Sequence, residues 1–378
     1  MGRVRWLGNK GLRLGLLVAI IVGGALLGRS VFHQMALSYS ADQVALEKKD
    51  ASIEKKQKKL LGRSNEPAAI DAEFAARMAA EKAAAHKLVR VDGDQITVKH
   101  KFGTTVMPKE HQRIVVIRME DPMVALDVPF IGGNYTDDHY LAADLKARGV
   151  TVISVNDDSK TINYEQVQSL QPDLIIMRDS FDKSVYDKLN QIAPTAAFNL
   201  RQHEVSLLAV AYALGIPDKG EARLAAFYDK AKFYRMALAD HLKGGKVAHL
   251  RVLNKEVRLY PYSNNDISRF MYEKLNLIPP EMVLEADYST TNSAISFEQL
   301  PDLDADYLII SAGYGPSSKE NPNIAKARLA SMQADALWQF IPAVKEGHVM
   351  QVDTSLWNAH GIIQEEKAME DIYRAWGQ

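Results

Sequence analysis

Three arginines stand at or inside apolar, β-branched runs. Arg118 follows Ile114, Val115, Val116 and Ile117; Arg178 follows the run 174–177; Arg251 lies within Leu250, Val252 and Leu253. A guanidinium presents a planar fork of donors that matches oxygen-rich anions. The chemistry these positions offer is recognition of a negatively charged ligand at the ends of strands, where α/β folds collect ligands. Catalytic signatures are missing. There is no G-x-S-x-G elbow, no Walker loop, no G-x-G-x-x-G and no H-E-x-x-H helix. The chain has no cysteine, which removes disulfides, thiolate nucleophiles and thiolate metal sites. His111, His139, His203 and His360 are scattered, without the convergence a free metal ion demands. The paired acids Asp137-Asp138 and Asp157-Asp158 read as solvated turn or cap residues. With a net charge of −1, no basic field points to nucleic acid.

The elements that must position these arginines follow from periodicity. With 378 residues, 47% of them hydrophobic, the chain is long enough for more than one core. Residues 1–40 carry a basic flank (Arg3, Arg5, Lys10, Arg13) and a 15-residue apolar run at 14–28. That flank predicts the N-terminus inside and the remainder outside a membrane. The run is roughly 22 Å long as a helix, which suits an uncleaved signal anchor whose ends snorkel. Cleavage near Ser38–Ser40 is the alternative. The expected location is a single-pass membrane protein with its C-terminal part extracytoplasmic. Residues 41–90, rich in Ala, Glu and Lys, predict a helical stalk of two helices (42–61 and 68–88) acting as a solvated spacer. From 91 the pattern alternates between strand and helix, predicting an α/β lobe over 91–200 with a mostly parallel sheet. A nearly continuous helical stretch over 201–244, broken at 215–217, predicts a connecting helix. A second α/β lobe over 245–378 follows. The fold class is therefore α/β: two Rossmann-like lobes joined by a long helix, after an anchor and a stalk.

Several phrases, in order and across both lobes, resemble a known family. They are ITVKHKFGTT at 96–105 with RIVV at 113–116, NYEQV at 163–167, LQPDLII at 170–176, YDKL at 186–189 and IAPT at 192–195. In the second lobe they are ISFEQL at 295–300, LDAD at 303–306, PAVK at 342–345, GHV at 347–349 and LWN at 356–358. The chain is similar to the solute-binding proteins of ABC importers for ferric siderophores, haem and cobalamin, over about residues 93–376. The resemblance implies a rigid clamp of two lobes, with a ligand in a shallow cleft between them. It implies binding of a ferric siderophore and delivery to an importer permease, with no enzymatic activity and no cofactor of the protein's own. Haem or corrinoid binding, or a membrane-tethered sensor or scaffold that binds without transport, are the alternatives.

The ligand would be a chelate already saturating its iron, so cationic and aromatic side chains are needed rather than metal ligands. The resemblance places Arg251, Trp357 and Lys160 at the ligand. Arg178 and Arg118 join them as strand-end cations, and Tyr260, Tyr288 and His360 as further lining residues. The basic set favours an anionic catecholate or carboxylate chelate. Family members dock to the permease through one acid on each lobe. Here those positions fall near Lys183 or Ser184 and near Phe270, so Asp182 on the first lobe, and Asp266 or Glu273 on the second, are the stand-ins.

Overall fold

A computed structural model describes residues 62–378 apart from 157–158, 263–268, 287–292 and 315–319, together with helical positions 51, 54–55 and 58–59. The apolar run at 14–28, most of the first stalk helix, Asp266 and Tyr288 lie outside the described residues. By contacts the chain divides into 1–61 and 62–378, and every element named below belongs to the second unit.

Helix α1 (Pro67–Leu88) begins where Pro67 occupies the first turn. There its fixed φ suits the helix and its missing N–H removes no hydrogen bond. Ile70, Phe74 and Ala85 are buried, and Met78 packs beside them. These residues fall on one face at helical spacing. They lie against two later helices, with Phe74 stacked on Tyr228 at 5.0 Å. This corrects the expectation of a solvated spacer. A stripe too sparse for a heptad seam is still enough to dock a helix on a folded domain, at about 1.5–3 kcal/mol per fully buried large side chain.

Strand β1 (Val89–Asp92) follows α1 directly and pairs antiparallel with β2 (Gln95–His100), which pairs with β3 (Gly103–Pro108). The first lobe is then built on β4 (Ile114–Ile117), β5 (Gly132–Gly133), β6 (Thr151–Val152), β9 (Leu174–Arg178) and β10 (Thr195–Phe198), in the order β10-β9-β4-β5-β6. All neighbours are parallel. Strands β4 and β10 are buried throughout, as is β9 up to Met177, which explains their unbroken apolar sequence. Crossovers carry α2 (Glu120–Ala125), α3 (Ala142–Ala147), α4 (Tyr164–Ser169) and α5 (Lys183–Ile192). A small hairpin, β7 (Val155–Asn156) with β8 (Thr161–Ile162), stands before α4.

The expected connecting helix is two helices. Every residue of α6 (His203–Ala213) is buried. Gly215 takes a φ of 71°, a conformation that favours glycine, and Pro217 opens α7 (Pro217–Leu242). Its 26 residues give a rod of about 39 Å.

The second lobe has β11 (Val247–Val252), β12 (Val257–Leu259), β13 (Ser293–Ile295), β14 (Tyr307–Ala312) and β15 (Val349–Val352), ordered β13-β12-β11-β14-β15. Strands β11, β14 and β15 are parallel, but β12 and β13 run antiparallel. This sheet is therefore mixed, because the short turn after Val252 can only fold the chain back as a hairpin. Its helices are α8 (Arg269–Glu273), α9 (Glu281–Glu285), α10 (Pro322–Ala334), α11 (Pro342–Lys345), α12 (Thr354–Trp357) and α13 (Ile362–Trp376). Among the described residues no helix is long and apolar enough to cross a membrane.

Candidate ligand-binding cleft

Parallel strands deliver their C-terminal ends to one edge of each sheet. In the first lobe, Arg118 leaves β4 with a φ of 62°. The Glu120 carboxylate accepts from the backbone N–H of Arg118 (3.2 Å) and of Asn134 (2.7 Å), tying the ends of β4 and β5 together. Burial pushes the Glu120 carboxyl up to about 7, and the Asn134 hydrogen bond and Arg118 charge only partly oppose that. His139 is pulled down to about 4 by burial and by the Arg118 charge, so its imidazole is neutral at pH 7. At the ends of β9 and β10, Lys101, Arg178 and Arg201 all act on the Asp179 carboxyl, which burial nevertheless raises. Lys101 Nζ donates to the Asp179 carbonyl at 3.0 Å. Lys160 stands exposed in the turn of the β7–β8 hairpin with a φ of 53°.

In the second lobe Arg251 is half-buried on β11. Its Nε donates to the Gly313 carbonyl (3.0 Å) and its Nη1 to Tyr260 Oη (3.3 Å). Its guanidinium carbon lies 5.9 Å from the Tyr314 ring centre. Tyr260 Oη in turn donates to Asn358 Oδ1 at 3.1 Å. Arg251, Tyr314 and Asn358 thus meet at the ends of β11, β14 and α12. Tyr260 has a buried ring and orients this group from beneath. Below it His249 is fully buried and drawn down to about 3 by burial and the Arg251 charge. His249 Nε2 lies 3.1 Å from Ser311 Oγ.

The two edges meet through one carboxylate. Asp121, in the first turn of α2, accepts from the backbone N–H of Ile363 (3.2 Å) and Gln364 (3.1 Å), the start of α13. Tyr140 Oη donates to it at 2.8 Å. An acid at a helix N-terminus satisfies N–H groups that have no partner inside the helix; here the acid belongs to the other lobe. The contact brings Gly361, the residue after His360, against Asp121, three residues beyond Arg118.

The expectation for Trp357 is corrected. Trp357 presents no face to a cleft: it is fully buried, its Nε1 donates to Asp371 Oδ2 at 2.9 Å, and its ring packs on His249 and Phe270. The single turn of α12 directs the indole between the sheet and α13. Glu273 is engaged within the fold, paired with Arg77 (3.3 Å) and Arg269 (3.6 Å). Asp182 is exposed at the N-cap of α5, with no side-chain hydrogen bond to that helix. His139, Arg201, Lys101, Tyr314 and Asn358 were not singled out from sequence as cleft residues; a polar side chain directly after a buried strand is the signal that marks Asn134, and Tyr314 stands one residue further on, after Gly313.

A family model described as "Periplasmic binding protein" matches residues 132–356, more than half of the chain. The chain belongs to the periplasmic binding protein family. This family assignment is one of binding, not catalysis. Among its curated members, the Bacillus subtilis protein named "Probable siderophore-binding lipoprotein YfiY" is 31% identical over 291 residues, spanning 73% of this chain and 86% of that protein. Among solved structures, Staphylococcus aureus SirA complexed with staphyloferrin B superposes with a TM-score of 0.63 at 22% identity, covering 74% of this chain and 97% of SirA. The periplasmic binding protein component of a ferrichrome ABC transporter from Bacillus subtilis gives 0.61 at 22% identity, with 74% and 99% covered. At these identities the structures speak for the fold: the mixed α/β architecture of two lobes is that of the family.

Proposed function

We propose that this protein binds a ferric siderophore outside the cytoplasm and delivers it to the permease of an ABC importer. The observation that carries the reading is the junction of the two strand edges at Asp121, with Arg118 on one side and the fixed Arg251 guanidinium on the other lobe. Arg251 is held by a carbonyl and a phenol rather than by a carboxylate, so its charge is available to an anion. Lys101, Arg178 and Arg201 add positive charge along the first-lobe edge, and Tyr314 adds an aromatic face. Among the described residues no group of three or more His, Asp or Glu gathers to hold a metal ion, and a chelate that arrives with its iron coordinated requires none. The names of the relatives, which mention siderophores and an ABC transporter, support the same reading.

Membrane attachment is part of the proposal. The relative named above is a lipoprotein, whereas this chain has no cysteine to carry a lipid. The basic flank and apolar run at 14–28 would hold it instead, with no cleavage. Docking to the permease would use Asp182 on the first lobe.

The test is a fluorescence titration of the full chain in detergent with ferric catecholate, hydroxamate and citrate-type siderophores, with haem, a corrinoid and free zinc as controls. Saturable submicromolar quenching by one ferric chelate is expected. Binding of haem, the corrinoid or zinc alone would overturn the ligand class.

A further inference from the structure

The turn of the β2–β3 hairpin, at 101–102, comes from outside the first-lobe sheet yet ends on the edge that carries its strand-end cations. Lys101 Nζ donates to the carbonyl of Asp179, the residue after β9, at 3.0 Å. The Lys101 charge acts on the Asp179 carboxyl together with those of Arg178 and Arg201. In register, Arg178 stands beside Phe198 of β10, and Met177 beside Ile117 of β4. Arg118 follows Ile117, so Lys101 arrives one strand away from Arg118 on the same edge.

The hairpin tip is pinned in place. His100 Nδ1 accepts from the Phe102 N–H (3.2 Å), which leaves the ring proton on Nε2, 2.9 Å from Thr105 Oγ1. Thr105 donates onward to the Thr195 carbonyl of β10. Burial pulls the His100 imidazole below its ordinary range, so it is neutral at pH 7, as this order of donors requires. The Phe102 ring stacks on Tyr186 of α5 with centres 5.0 Å apart, and His100 leans on the same ring at 5.1 Å. Lys101 Nζ lies 5.3 Å from the Phe102 ring centre. Lys101 itself is exposed. Its acceptor among the described residues is an uncharged carbonyl, and an ammonium has three donors, so it can also meet a ligand.

We propose that Lys101 is a ligand-contacting, specificity-determining residue: the hairpin carries a further cation to the cleft, and this selects polyanionic chelates over neutral ones. His100, Phe102 and Thr105 are positioning residues that hold the tip against β10 and α5. The inference rests on the reading of this edge as the ligand site. Gathering Lys101 with Arg118, Arg178 and Arg201 sets like charges along one edge. A ligand with several negative charges relieves that repulsion and a neutral ligand does not.

The test measures binding by the full chain in detergent of two anionic probes, ferric citrate and a ferric tris-catecholate, and of a neutral ferric trihydroxamate. Lys101→Ala should weaken the anionic probe about tenfold at low salt, with the loss shrinking as salt rises, and Lys101→Arg should restore most of it. Phe102→Ala should weaken the anionic probe in the parent and add nothing in the Lys101→Ala background; a merely structural role would cost the same in both. If Phe102→Ala fails to fold, the Lys101 variants decide alone. Unchanged anionic affinity in Lys101→Ala, while Arg251→Ala lowers it, would overturn this inference and leave the cleft reading standing. A parent that binds the trihydroxamate alone would overturn the charge selection and leave the siderophore reading standing. A parent that binds no probe would overturn both.

Discussion

Asp121 and Gly361 approach so closely that a Cβ on Gly361 would lie 2.0 Å from the Asp121 Cγ. The glycine belongs to the second lobe and the aspartate to the first, 240 residues earlier. Its φ of 151° is open mainly to glycine. Gly361→Ala should therefore pry the lobes apart at the cleft floor. A loss of more than about 2 kcal/mol is expected, read from urea unfolding, together with weaker ligand binding. Unchanged stability would show that α13 can shift without cost.

Removing the cap from the other side is a milder change. Asp121→Ala leaves the Ile363 and Gln364 N–H groups and the Tyr140 hydroxyl without their shared acceptor. Loss of a helix cap costs about 0.5–2 kcal/mol. Asp121→Asn, which keeps one acceptor oxygen, should recover part of this.

Glu120 gives the molecule a pH dependence of definite sign. Its folded-state value of about 7 lies above the ordinary 4.5. Between these values the folded state holds more protons than the unfolded state, so stability falls as pH rises through that window. A displacement of that size corresponds to a loss of at most roughly 3 kcal/mol. Glu120→Gln should remove this falling contribution, raising stability at pH 8 relative to pH 5 when compared with the parent, while His139 and His249 contribute with the opposite sign in both proteins. A variant profile parallel to the parent's would refute the assignment.

Trp357 and Arg251 should separate cleanly. Trp357→Phe breaks the bond to Asp371, whose carboxyl burial already pushes up, and should lower stability by about 1–3 kcal/mol with ligand affinity within twofold. Arg251→Ala should do the reverse, weakening an anionic chelate by about 1–3 kcal/mol with little change in the unfolding midpoint. Equal loss of affinity in both would return the tryptophan to the cleft.

Phe74 tests whether α1 is part of the fold. Phe74→Ala removes a buried ring stacked on Tyr228 and should cost about 3–5 kcal/mol. A solvated spacer would show no change in unfolding.

Much of the architecture is legible because burial on both faces writes itself as unbroken apolar runs: β4 and β9 are visible as Ile-Val-Val-Ile and Leu-Ile-Ile-Met. The break between α6 and α7 is equally visible, since Gly215 and Pro217 each have one conformational meaning. The docking of α1 is not, because Ile70, Phe74 and Met78 make a stripe of ordinary width whose partner lies 150 residues away. Arg118, Arg178 and Arg251 stand at strand ends because the apolar run before each one must finish inside the sheet. The direction of Trp357 is set by what packs around α12, and neither its neighbours in sequence nor its spacing carries that information. The Asp121 contact with α13 is likewise a product of how the lobes meet.

Helix α1 passes into β1 with no loop between them: Leu88 is helical and Val89 already extended, its N–H still bonded to the Ala85 carbonyl. A load applied along the axis of α1 would be resisted in shear by the Ile70–Phe74 face and the Arg77 pairs, all together. The β1–β2 hydrogen bonds, which would open one at a time if peeled, carry no load until that helix has slipped. Load along that axis would be spent on the helix before it reached the sheets that shape the cleft.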